Sequence, residues 1–117
     1  MAMQSRLIKD QRSVSRVAAN LECQFAFEKI TYEAHITNLS MNGAFLSSSF
    51  TPPKNGHIVI TLPVPHLKKV LILESKVVRT DGSSQHGFGA FAVRFSYSSL
   101  DLIELIKNLI SQPLHKV

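Results

Sequence analysis

Apolar and polar residues alternate through most of this chain. Leu21, Cys23, Phe25 and Phe27 interleave with Glu22, Gln24 and Glu28, the period-two signature of a half-buried strand. After a turn near Glu28–Ile30, residues 31–37 (TYEAHIT) form a second, more polar alternating run. The stretch Asn38–Gly43 (NLSMNG) then interrupts the pattern for six residues before GAFLSS resumes it. Pro52, Pro53, Asn55 and Gly56 mark a loop. Ile58, Ile60 and Leu62 alternate with His57, Val59 and Thr61 until Pro63 and Pro65, which are expected to end that strand. Val70–Thr80 is a long β-rich run, Asp81–Ser84 reads as a turn, and residues 87–95 (GFGAFAVRF) return with Phe91, Val93 and Phe95 on one face. Six or seven short strands at this spacing predict a barrel or sandwich.

The period changes near the carboxyl end. Ser98 is placed as an N-cap, with Asp101 three residues on in the capping-box position. Leu102, Ile103, Ile106, Leu109 and Ile110 recur at steps of three and four, and Pro113 stops the pattern. A helix of about three to four turns over roughly 98–112 is expected to cap a barrel mouth or cover a sheet edge.

Composition fits one globular domain. The chain has 117 residues, 44% hydrophobic and 18% charged. No apolar run approaches the roughly 18 to 20 residues of a membrane span. The polar start (MAMQSRLIKDQRSVSR) lacks the apolar core of a secretory signal, so a cytoplasmic protein is expected. Cys23 has no partner cysteine and sits in the alternating run, where a small thiol packs as core. Charge is uneven: Arg6, Lys9, Arg12 and Arg16 face Asp10 alone, so three of the five net positive charges lie within residues 1–16. A basic arm ahead of a structured body suggests an anionic partner.

Catalytic signatures are sparse. His35, His57, His66, His86 and His115 are scattered with no ligand-like pairs, so no metal site is expected. No acid pair, nucleophile elbow or phosphate loop stands out. The Gly-x-Gly at Gly87 and Gly89 opens no helix, and it reads as close strand packing rather than a dinucleotide fingerprint. An enzyme is not expected.

Two pieces remain. In RSVSR, Arg12 and Arg16 stand four apart, and arginine can both fork onto phosphate and read guanine O6 and N7. Asn38 and Ser40, at i and i+2 in an extended segment, would share one face, an amide and a hydroxyl suited to guanine's N1–H and N2 donors. Gly43 would permit a positive φ or a close approach of ligand to backbone. Arg12-x-x-x-Arg16, a strand pattern, and then Asn38-x-Ser40-x-x-Gly43 resemble the PilZ domain, a bacterial receptor for cyclic di-GMP. The likeness extends to Val77-Val78-Arg79, the strand at 87–95 and the terminal helix, covering roughly residues 9–112.

That resemblance implies a mainly β fold: a six-stranded antiparallel barrel with a C-terminal helix. Residues 1–18 would form a flexible basic arm and 19–117 the barrel with its helix. Arg12 and Arg16 would hold guanine edges and phosphates, Asn38 and Ser40 would read guanine, and Gly43 would shape the turn. Lys9 and Arg79 are secondary candidates. Two departures bear on binding. Asn38 stands where Asp is also accepted, giving one acceptor where a carboxylate gives two. Gln11 stands where many relatives carry a second basic residue, leaving one or two bound nucleotides open. The expected partners are cyclic di-GMP and a downstream protein, with no nucleic-acid polymer, no membrane span, no cofactor, and a monomer or homodimer. A PilZ-fold interaction module that does not bind the nucleotide is the alternative. A single-strand-binding barrel fits less well, because Phe25, Phe27, Phe91 and Phe95 occupy core-facing positions and Trp is absent.

Overall fold

The computed structural model describes residues 17–81 and 89–111. Six strands, β1 (Val17–Phe27), β2 (Ile30–Leu39), β3 (Gly43–Ser48), β4 (His57–Val64), β5 (Lys69–Asp81) and β6 (Gly89–Phe95), precede one helix, α1 (Leu100–Ser111). The strands close into an antiparallel barrel in the order β1-β2-β3-β6-β5-β4. Closure removes the exposed edges that a six-stranded sheet would otherwise present.

The alternation in the sequence becomes the inside and outside of this barrel. Cys23, Phe25, Ile36, Leu46, Ile58, Ile60, Leu62, Leu73, Val77, Phe91 and Val93 fill the interior. Cys23 is a core residue: burial, with Glu33 adding to it, pushes its thiol up to about 12. Glu28 and Lys29 both have positive φ, 51° and 73°, which makes the β1–β2 connection a two-residue hairpin of the type whose twist matches the strands. At that end Tyr32 stacks on Phe50 with centroids 4.3 Å apart, and Phe27 packs against Phe50 at a tilt.

Several local expectations change. The interruption after β2 is three residues, Ser40–Asn42, because Asn38 and Leu39 belong to β2 and Gly43 opens β3. Strand β4 runs through Pro63 to Val64, with Pro63 opposite Val70 of β5. Pairing between β4 and β1 covers only Val59–Thr61, so β4 is an edge on that side where Pro63 sits, a place that tolerates a missing N–H. Val17 and Ala18, at the end of the expected arm, pair with Leu39 and Asn38 as part of β1. Pro113, Gly82–Ser84 and Gly87 lie outside the described residues.

The helix caps the barrel at the end carrying the β2–β3 loop. Its N-cap is Ser99, whose hydroxyl accepts the Leu102 N–H at 3.1 Å. Ser98 instead donates to the Met41 carbonyl at 3.0 Å, and Asp101 pairs with Lys69 at 2.8 Å. The buried face is Leu102, Leu105 and Ile106, with Leu109 against it, while Ile110 is exposed. The helix keeps the expected period, but its phase turns toward Leu105 because that face meets β1 and the core.

Candidate functional site

The β2–β3 loop and the outer faces of β3, β5 and β6 enclose a cleft of about 470 Å³. Asn38, Ser40, Gly43 and Arg79 all line it, joined by Asn42, Phe45, Val78 and Arg94. Lys9, Arg12 and Arg16 lie outside the described residues.

Two irregularities turn the polar side chains outward. Along β2, Ile36 opposes Leu46 and Asn38 opposes Phe45, so Thr37 is an extra residue. Along β5, Val77 opposes Val93 and Arg79 opposes Ala92, so Val78 is extra. Without these bulges Asn38 and Arg79 would share the inward face of buried Ile36 and Val77, two residues earlier. With them, Ala18, Asn38, Phe45, Ala92 and Arg79 stand opposite one another in a single outward row across five strands. The Thr37 hydroxyl donates to the Phe45 carbonyl at 3.3 Å within this irregularity.

Ser40 is not on the strand face expected for it beside Asn38. It lies past the end of β2, and its hydroxyl accepts the N–H of Asn42 at 3.1 Å and of Gly43 at 3.2 Å. The same hydroxyl donates to the Gly43 carbonyl at 3.3 Å, and the Ser40 N–H bonds that carbonyl at 2.9 Å. A hydroxyl has one proton and two acceptor sites. All three are engaged within the loop, so Ser40 is the pin of the turn. The loop is further fastened by Phe95 N–H to the Asn42 carbonyl at 2.8 Å and by Ser98 to Met41.

Gly43 is required by close packing rather than by its φ, which is not in the positive range. A Cβ there would run into the Val93 carbonyl oxygen of β6. The residue lets β3 approach β6 at the floor of the cleft.

The electrostatics favour an anion. Among the described residues, Arg79 and Arg94 are the ionisable side chains lining the cleft, and no carboxylate lines it. Among the described residues neither guanidinium forms an ion pair. Arg79 lies 5.7 Å from the centroid of the Phe45 ring, within the range of a cation–π contact. Phe45 and Arg94 were legible only in part. Both alternate out of phase with their buried neighbours, but nothing local announced that the two outward positions meet. Among the described residues no three His, Cys, Asp or Glu side chains converge on a metal-sized site, and no helix is long and apolar enough to cross a membrane.

The PilZ domain family model matches residues 10–112. Solved structures share the fold. The PilZ domain of YcgR from Escherichia coli, solved with c-di-GMP, superposes with a TM-score of 0.70 at 15% identity, over 86% of this chain and 92% of that one. MotI/DgrA, the inhibitor of motility of Bacillus subtilis, gives 0.68 at 17% identity over 87% of this chain. PlzA of Borreliella burgdorferi, in complex with c-di-GMP, gives 0.65 at 17% identity over 92% of this chain. This chain spans 51% of the MotI/DgrA chain and 44% of the PlzA chain. No curated protein sequence matches it. With its barrel, its terminal helix and nearly its whole length accounted for by that model, this chain belongs to the PilZ domain family.

Proposed function

We propose that this domain is a cytoplasmic cyclic di-GMP receptor, not an enzyme, and that it signals to a partner protein by closing its N-terminal arm over the bound nucleotide. The observation that carries the reading is the outward row of Asn38, Phe45 and Arg79 beside the loop pinned by Ser40. That row offers an amide for a guanine edge, an aromatic face and a cation for phosphate, in a cleft that no carboxylate of the described residues lines. Proteins of the same family, YcgR and PlzA, are solved with c-di-GMP.

The arm has the reach this role needs. Arg16 is joined directly to Val17, which pairs with Leu39 next to Ser40. Arg12 is five residues from Val17, a span of at most roughly 18 Å. Arg12 and Arg16 would close on phosphates and guanine from one side, with Lys9 as a further cation, while Asn38 and Arg79 meet the ligand from the barrel. Gly43 keeps the floor low, and Ser40 acts by holding the loop. Ordering the arm opposes binding through lost chain entropy, so the charge-assisted bonds of both arginines are needed to offset it.

Calorimetric titration of cyclic di-GMP into the protein, beside Arg16→Ala and Asn38→Ala, tests this. Micromolar or tighter binding, weakened by both substitutions, is expected. Absence of binding, or equal binding of GTP, would refute it; the latter would reduce the site to general phosphate attraction.

A further inference from the structure

A second feature runs along the outside of the barrel, next to the row that holds Asn38. Gly43 stands opposite Arg94, Arg94 opposite Lys76, and Lys76 opposite His57, across β3, β6, β5 and β4. Lys76, Arg94 and His57 are all exposed. Directly opposed side chains on one face are about 5 Å apart at Cβ, and like charges in that position destabilise a sheet. Lys76 and Arg94 are therefore a pairing that the fold itself does not favour. Among the described residues neither has a carboxylate partner. Glu74 lies two residues before Lys76 on the same face, opposite Val59, and Asp81 lies at the far end of β5.

Val59 and Glu74 border this row, and beyond them the outer surface turns aliphatic. Val59, Ile72 and Val70 are exposed on the same outer surface of β4 and β5, at 38%, 52% and 57%. Thr61 faces Ile72 and Pro63 faces Val70, so the apolar patch continues along the hairpin. The outward positions of β4 and β5 hold no Phe, Tyr or Trp, which disfavours stacked nucleic-acid bases. Cations beside aliphatic side chains suit a peptide that alternates carboxylates with apolar residues.

We propose that the outer face of β4, β5 and β6, centred on Lys76, Arg94, Val59 and Ile72, docks an acidic amphipathic segment of a partner protein. Arg94 also lines the cleft. A nucleotide phosphate there takes Arg94 away from the partner, so ligand and partner oppose each other through one side chain. This coupling rests on the cyclic di-GMP reading above; the docking face does not.

The probe is a short fluorescein-labelled peptide built from Glu, Leu and Ala, followed by anisotropy on the intact chain. A counterpart with Lys in place of Glu, phosphatidylserine vesicles and a single-stranded oligonucleotide serve as comparisons. Saturable binding of the acidic peptide is expected, weakened roughly tenfold by Lys76→Glu and by Ile72→Ser. Lys76→Glu places opposite charges face to face with Arg94, so its melting temperature should hold or rise while docking is lost. Lack of saturable binding, an unchanged affinity in Lys76→Glu, or preferential binding of vesicles or oligonucleotide overturns the docking face. Added cyclic di-GMP is expected to weaken the peptide several-fold; a bound nucleotide that leaves peptide affinity unchanged overturns the competition at Arg94. If calorimetry detects no nucleotide binding, the receptor reading and the competition both fail, and the peptide titrations alone decide the docking face.

Discussion

Removing one oxygen from Ser40 separates two ways in which this residue can matter. In Ser40→Ala the N–H groups of Asn42 and Gly43 lose their acceptor, and the Gly43 carbonyl loses one of its two donors. The three bonds are 3.1 to 3.3 Å long and the residue is half-buried, so water replaces part of what is lost. At roughly 0.5 to 1 kcal/mol for each bond, discounted for that replacement, the substitution destabilises the domain by about 1–2 kcal/mol. For a domain of this size that lowers the melting temperature by roughly 4 to 8 °C. Thermal unfolding followed by far-ultraviolet circular dichroism reads the shift, and calorimetry on the same sample reads the nucleotide. The expected result is a lower midpoint together with weaker binding, both restored by Ser40→Thr, which keeps the hydroxyl. A variant that melts within about 1 °C of the parent yet loses the nucleotide would refute the pin and return Ser40 to direct contact with guanine.

Other outcomes follow from the same geometry. Gly43→Ala, which drives a methyl group into the Val93 carbonyl, should cost about 1–3 kcal/mol in chemical denaturation. Arg79→Ala should weaken the nucleotide in calorimetry while altering stability by less than about 1 kcal/mol, because its cation–π contact is on the surface. Leu105→Ala empties a buried position and should cost about 2–5 kcal/mol, whereas Ile110→Ala should stay within about 0.5 kcal/mol; equal effects in urea titrations would show the helix phase to be wrong. Cys23, with its thiol raised from 9.0 to about 12, should react with a disulfide reagent at pH 8 only as fast as the protein opens. The raised folded value means that the unfolded thiol loses its proton first as pH climbs. This contribution to stability is complete below about pH 9 and fades as pH rises toward 12, which denaturant midpoints across that range would reveal.

Strand content, the helix and the core were legible because each depends on a short repeat. Alternation at Leu21–Phe27, Ile58–Leu62 and Phe91–Phe95 separates inside from outside within a few residues. The motif Asn38-x-Ser40-x-x-Gly43 was equally visible, but its internal geometry was not. A reading at i and i+2 put Asn38 and Ser40 on one strand face, whereas Ser40 lies in the loop and bonds its own turn. The N-cap shifted from Ser98 to Ser99 because Ser98 is taken by Met41, a partner distant in sequence.

By itself the sequence determined that this is a small β protein with one amphipathic helix, a basic amino end and a polar motif between two strands. Periodicity and charge are local quantities, and they survive without knowledge of neighbours. Only the tertiary structure decided which outward residues share a site. Asn38, Phe45, Arg79 and Ala92 come from four strands, and two bulges, at Thr37 and Val78, set the phase that faces them outward together. A bulge is a mismatch between two strands, so the register of the partner strand creates it and no single segment contains it. The same registers place Lys76 against Arg94 and link that basic row to the cleft.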